Sequence, residues 1–273
     1  MRRSVVVVGF LTLLSGLNAQ PSSRARAACI RNLTLTGVSG VPAPELAEIE
    51  MELKQTCCQY AETQEMRERM LYTFQEKGYF EARMHHMEVT ATDSHAAPPA
   101  VDIYADVSPG QRFRLKAIEF HGNEVIPSDE LRQQFKIADG DIFNVEKIRQ
   151  GLDDIRRLYA SRGYINFTPV PNTEADEKSG FVTLTIDADE GNQFRLGGLL
   201  LDGEEPHAGD GAKLLEAWKP MEGKAYDGEK IEEWWQLAAT MLPPGSRMEQ
   251  LLELKQDAQS HIVTAMLSFP VTK

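Results

Sequence analysis

Gly110-Gln-Arg-Phe-Arg-Leu115 returns as Gly191-Asn-Gln-Phe-Arg-Leu196, 81 residues downstream. The text before each copy returns with it. Val101-Asp-Ile-Tyr-Ala-Asp-Val107 precedes the first and Val182-Thr-Leu-Thr-Ile-Asp-Ala188 the second, both strand-like. Two further anchors keep the same order. Asp139-Gly-Asp-Ile-Phe-Asn-Val-Glu-Lys-Ile148 matches Glu222-Gly-Lys-Ala-Tyr-Asp-Gly-Glu-Lys-Ile231 at a shift of 83, and Lys77-Gly-Tyr-Phe80 matches Arg162-Gly-Tyr-Ile165 at a shift of 85. Three anchors in one order at nearly one spacing define a repeat, and loops of unequal length absorb the small differences. The register gives units at 27–108, 109–190 and 191–273. At about 80 residues, each can bury a modest core of its own.

The middle unit reads most clearly. Phe113, Leu115 and Ala117 alternate with Arg112, Arg114 and Lys116, a strand period. Ile118 and Phe120 continue it out of phase, so a bulge is expected where the phase changes, before Ile118. His121-Gly122-Asn123 marks a turn, and Ser128 is placed to cap a short helix running through Phe135. Asp139-Gly140-Asp141 breaks the chain again. Asn144 then caps a longer helix whose Val145, Ile148, Leu152, Ile155 and Leu158 paint one apolar stripe, with Gly163 as its stop. Residues 164–170 read as a strand, Asn172 to Gly180 as a polar hairpin loop, and Phe181 to Ile186 as a second strand. The order is strand–helix–helix–strand–strand, an α+β unit: a three-stranded mixed sheet whose apolar face is covered by two helices. The first unit fits with a strand from Ile30, helices over 44–55 and 63–76 and strands over 84–92 and 100–107. The third fits with a strand from Phe194, helices over 211–218 and 228–241 and strands over 250–256 and 261–269.

The first 19 residues read as a secretory leader. Arg2 and Arg3 precede an apolar run from Val5 to Leu17, and Leu17-Asn18-Ala19 offers a cleavage site; Ala25-Arg26-Ala27 offers another near 26. The run is too short to span a bilayer comfortably, and no other apolar stretch comes close, so the mature chain is expected to carry no transmembrane segment. With 273 residues, 42% of them hydrophobic, the chain can build real cores, which excludes global disorder. A net charge of −12 argues against a nucleic-acid partner, because tracking phosphates needs basic patches. No Gly-x-Ser-x-Gly, His-Glu-x-x-His or phosphate-cradling glycine loop occurs, and the six histidines are scattered. No catalytic set, cofactor site or metal site is therefore expected. Cys29, Cys57 and Cys58 fit no zinc spacing, even with His85 and His86 nearby. In an oxidising compartment the simpler reading is one disulfide from Cys29 to either Cys57 or Cys58.

A βααββ unit of this size, repeated in tandem behind a leader, resembles the POTRA domain. The joints Asp139-Gly-Asp-Ile-Phe143 and Ser161-Arg-Gly-Tyr-Ile165 carry the resemblance, together with the line Leu115-Lys-Ala-Ile-Glu-Phe-His-Gly-Asn123. The likeness is strongest over 109–190, fair over 27–108 and weaker over 191–273, where Pro243-Pro244-Gly245 replaces the Gly-Tyr joint. The resemblance implies the periplasmic, recognition part of an outer-membrane β-barrel assembly factor or a two-partner secretion transporter. The chain runs only to Lys273, so a barrel is not expected within it. The implied location is the periplasm, peripheral to the outer membrane. The implied partners are unfolded outer-membrane proteins or a β-barrel partner, and the implied mode is strand addition to an exposed sheet edge, with the unit's second strand outermost.

The residues suggest how open each edge is. In the first unit Met87, Val89 and Ala91 alternate without proline. In the middle unit Phe167 and Val170 flank Pro169, with Pro171 beyond, so that edge is either guarded or only partly available. In the third unit Leu252 and Leu254 hold the matching places. At least one member of Trp234-Trp235 is expected in the core, since Ile231, Trp235 and Ala238 share a face; an exposed partner contact for the other is the minor alternative. Two alternatives stand beside the client-binding reading: a rigid structural subunit that docks one fixed partner, such as a separately encoded barrel, and a secreted enzyme on a related α+β fold.

Overall fold

The computed structural model describes residues 29–56, 63–93, 100–243 and 246–269. The leader, and Cys57 and Cys58, lie outside these residues. Cys29 opens the first strand, opposite Ala100. The elements are β1 (Cys29–Thr36), α1 (Ala43–Thr56), α2 (Thr63–Glu76), β2 (Arg83–Asp93) and β3 (Ala100–Ser108); β4 (Arg114–His121), α3 (Ser128–Arg132), α4 (Val145–Ala160), β5 (Thr168–Asp176) and β6 (Phe181–Asp189); then β7 (Arg195–Asp202), α5 (Asp210–Trp218), α6 (Gly228–Ala239), α7 (Met248–Leu251), β8 (Leu252–Asp257) and β9 (Ile262–Ser268). The βααββ order thus recurs three times, the third repeat adding the four-residue helix α7 where the start of its second strand was expected, and each repeat closes its own three-stranded sheet, ordered β1-β3-β2, β4-β6-β5 and β7-β9-β8. The sheets are mixed: β1 runs parallel to β3 and β7 to β9, while β2 and β8 run antiparallel to those central strands.

The chain divides into two compact bodies. One holds residues up to Glu119 with Phe135–Gly151 and Pro171–Ile186; the other holds Phe120–Gln134, Leu152–Val170 and Asp187 onward. In the first body the core of the first repeat gathers Ile49 and Leu53 of α1, Met66, Met70 and Phe74 of α2, and the inward face of β3 from Val101 to Val107. In the second body Leu214 and Trp218 of α5 meet Ile231, Trp234, Trp235 and Ala238 of α6 above Ala265 and Leu267 of β9. In every repeat the central strand alternates buried and less buried residues and so carries the apolar face; Val182, Leu184 and Ile186 do this in β6.

Several local expectations are corrected. Ser128 does not cap α3: it is the first helical residue, Pro127 holds the cap position, and the helix ends at Arg132. The Ser128 hydroxyl instead accepts from Asn123 Nδ2 at 3.1 Å. Residues 164–167 are not strand. The Tyr164 N–H donates to Tyr159 O and the Phe167 N–H to Tyr164 O, which holds a turn after left-handed Gly163. β5 begins only at Thr168 and takes in Asn172–Asp176, expected as loop. An edge strand needs apolar residues only on its inward face, so its polar composition conceals it. Asn144 does cap α4, accepting from the Lys147 N–H at 2.8 Å. The burial of β4 slips phase between Leu115 and Ile118, as the bulge reading requires.

The anchors that define the repeat come together in space. In the first body the Phe113 N–H donates to Gly78 O at 3.0 Å and the Phe143 N–H to Phe113 O at 3.0 Å. In the second, the Phe194 N–H donates to Gly163 O at 2.8 Å and the Tyr226 N–H to Phe194 O at 2.9 Å. Both glycines are left-handed, and a Cβ on Gly163 would stand 2.7 Å from Phe194 O.

Candidate strand-pairing edges

The two edges of each sheet are not equivalent. The start of β4 is already occupied: the Leu115 N–H donates to Asp141 O at 2.8 Å and the Gly140 N–H to Leu115 O at 2.7 Å, so Arg114 and Ile142 form an antiparallel bridge. The start of β7 is closed in the same way. The Leu196 N–H donates to Lys224 O at 2.8 Å and the Gly223 N–H to Leu196 O at 2.7 Å, with Arg195 bridged to Ala225. The Gly-x-x-aromatic anchors thus fold back as short ribbons that consume backbone groups of the β4 and β7 edges. The corresponding loop of the first repeat, 57–62, lies outside the described residues. At the other side of each sheet stand β2, β5 and β8, each flanked by one strand only.

β2 is the longest of these. Met87 stands opposite Ala105, Val89 opposite Ile103 and Ala91 opposite Val101. Their partners are buried, so these side chains lie on the core face, and Met87 and Val89 pack against the first core. What this edge offers a partner is backbone, with His86, Glu88 and Thr90 on the solvent face. Register shifts between Met84 and His86 and between Ala91 and Asp93 break the ladder at both ends, leaving His86–Ala91 as its regular stretch. Such bulges are one way in which an edge is kept from indiscriminate pairing.

β5 is different. Pro169 is buried and Pro171 half-buried, and neither has an N–H to give. Val170 is 46% exposed. Phe167 lies before the strand, buried, with its ring stacked on Tyr159 at 3.7 Å; it is a core residue. The Tyr159 hydroxyl donates to Glu190 Oε1 at 2.7 Å, and burial, reinforced by that carboxylate, pushes the phenol pKa well up. β8 pairs with β9 without interruption. Leu252 stands opposite Leu267 and Leu254 opposite Ala265, both on the core face, while Glu253, Lys255 and Asp257 point to solvent. Leu254 is 37% exposed.

Beside the start of β8 is an open cavity of about 650 Å³, lined by Glu232 and Trp235 of α6 and by Ser246 to Gln250. Both tryptophans of the pair are buried, so the minor alternative of a partner contact falls away. Trp234 meets Trp218 edge-on at 4.9 Å and donates to Leu214 O at 3.2 Å. Among the described residues no cluster of His, Cys, Asp and Glu is set to hold a metal ion, and no helix is long and apolar enough to cross a membrane.

A family model described as "Surface antigen variable number repeat", the POTRA model, matches residues 113–191. This stretch runs from Phe113, whose N–H enters the first joint, to Gly191, which opens the second copy of the anchor. Over these residues the chain is similar to a POTRA domain. Across 157 residues, 53% of its length, it is 27% identical to the outer membrane protein assembly factor BamA of Neisseria meningitidis, of which it spans 19%. The POTRA3-5 segment of Haemophilus influenzae BamA superimposes with a TM-score of 0.61 at 18% identity, over 89% of this chain and 96% of that one. The POTRA fold therefore extends over the flanking repeats, including the third, whose sequence is the most divergent.

Proposed function

We propose that the chain works in outer-membrane protein assembly or secretion, binding extended segments of unfolded outer-membrane polypeptides in the periplasm. A client adds as a fourth strand to the outer edge of a POTRA sheet. The one-sidedness of the sheets carries this reading: the folded-back ribbons consume the starts of β4 and β7, whereas β2 and β8 keep rows of backbone donors and acceptors facing outward. Backbone pairing is nearly indifferent to side chains, which suits clients that share little beyond an extended conformation. The kinship with an assembly factor supports the same role. β2 and β8 are the pairing sites, and β5, with its two prolines, is the guarded one.

The test is photocrosslinking from single positions. A crosslinker at His86, Glu88 or Thr90, or at Glu253 or Lys255, should capture many different unfolded barrel proteins, while one at Lys224 in the sealing ribbon captures none. Capture of a single protein at fixed stoichiometry from the same positions would replace the client reading with that of a subunit docked to one partner. Equal capture from Lys224 would remove the edge argument.

A further inference from the structure

The two joints share one backbone pattern and differ in the side chains laid over it. In the first, Arg112 is held three ways: its Nε donates to Lys77 O at 2.9 Å, its guanidinium pairs with Glu45 of α1 at 2.9 Å, and it lies over the Tyr79 ring at 6.0 Å from the centroid. Glu45 is only 11% exposed, and its second oxygen is buried without a partner. The Asn144 amide donates to Glu76 O at 2.8 Å, and the Tyr72 hydroxyl donates to the Glu146 carboxylate. Phe80 packs edge-on against both Phe113 at 4.9 Å and Phe143 at 5.4 Å.

In the second joint several of these places are changed. Gln193 stands for Arg112 and keeps only the equivalent of the Nε bond, donating to Arg162 O at 2.9 Å. A neutral amide forms no ion pair. The matching carboxylate, Glu130, is taken by Arg162 of its own repeat. Asp227 stands for Asn144 and has no side-chain N–H to donate across the joint; it caps α6 by accepting from the Glu229 N–H at 3.0 Å. Ile165 stands for Phe80, so the aromatic trio is gone.

We propose that Arg112 is a latch: it locks the first joint through Glu45, and the second joint, which adds to the backbone lock only the neutral Gln193 bond, opens more readily. This concerns the inside of each compact body and stands apart from client binding, since none of these residues lies on β2 or β8.

Hydrogen exchange on the full chain reads each joint through one amide, Phe113 for the first and Phe194 for the second. In the wild type the protection factor of Phe113 is expected to exceed that of Phe194 by about fivefold or more, the upper end of what one ion pair contributes. Arg112→Gln turns the first joint into the chemistry of the second and should cost Phe113 about that factor while Phe194 is unchanged. That variant leaves a carboxylate alone in a buried place, so Glu45→Gln, which removes the charge and keeps the shape, is the second arm and should lower Phe113 in the same direction. Equal protection of the two amides in the wild type would overturn the latch. So would a Phe113 rate that neither substitution moves.

Discussion

Gly163→Ala tests how much the third repeat depends on its joint. Gly163 has φ +89°, and a Cβ there would meet Phe194 O at 2.7 Å, Gln193 Cγ at 3.0 Å and Ala225 Cβ at 3.3 Å. The first contact is with backbone, which cannot swing aside without breaking the Phe194 N–H to Gly163 O bond. Gly223→Ala, in the same compact body, is the matched control: φ is +75°, and nothing lies within 4 Å of the added carbon. Both alanines suffer the same left-handed strain, roughly 1–2 kcal/mol. The difference between them is therefore the contact itself, a lost buried hydrogen bond worth about 1–3 kcal/mol. The three tryptophans, 218, 234 and 235, all sit in the core of the third repeat, so their fluorescence in a urea titration reports that repeat directly. With slopes of about 1–3 kcal/mol per molar urea, the Gly163→Ala midpoint should fall below that of Gly223→Ala by about 1 M. Coincident midpoints would show that the third repeat draws nothing from this contact, and the reasoning about the joint would fail.

Two further outcomes follow from packing and charge. Trp218 is fully buried, and its indole N–H donates to Gly197 O at 2.9 Å in the irregular stretch of β7; Trp218→Ala should cost about 3–5 kcal/mol and melt the third repeat in a heteronuclear NMR spectrum while Ile103 and its neighbours in β3 keep native shifts. Glu146 is held down to about 2, first by its hydrogen bonds to Arg149 and then by those from Tyr72 and Gln150, although burial opposes them. A carboxylate depressed in the folded state stabilises above its unfolded value of 4.5, and that contribution is lost as pH falls from there towards 2. Arg149 is half exposed, so solvent screening limits the effect to about 1 kcal/mol. Glu146→Gln should flatten the acid limb of the stability curve between pH 4.5 and 2, and an unchanged limb would reject the assignment.

Much of the fold was legible because its signals are local. The stripe Val145, Ile148, Leu152, Ile155 needs only a helical period to be seen, and Val182, Leu184, Ile186 only a strand period. The three glycine-bearing anchors marked the joints, since left-handed backbone at Gly78 and Gly163 leaves glycine as the fitting residue. Where reading failed, the deciding partner was distant or carried no side-chain signature. Phe167 looks like a strand residue until the ring of Tyr159 claims it. Asn172–Asp176 looks like loop because an edge strand tolerates polar residues on its open side.

From the chain of residues alone came the number of repeats, the order of elements in each, and the residues that fill the cores, because hydrophobic periodicity is written within a dozen residues. Only the tertiary structure decided that the starts of β4 and β7 are already paired. The ribbons at Gly140–Phe143 and Gly223–Tyr226 reach back more than 20 residues to pair with Phe113–Leu115 and Phe194–Leu196, through N–H and C=O groups that every residue but proline shares. A backbone hydrogen bond leaves no mark on residue type, so the closing of the β4 and β7 edges was visible only once the chain had folded.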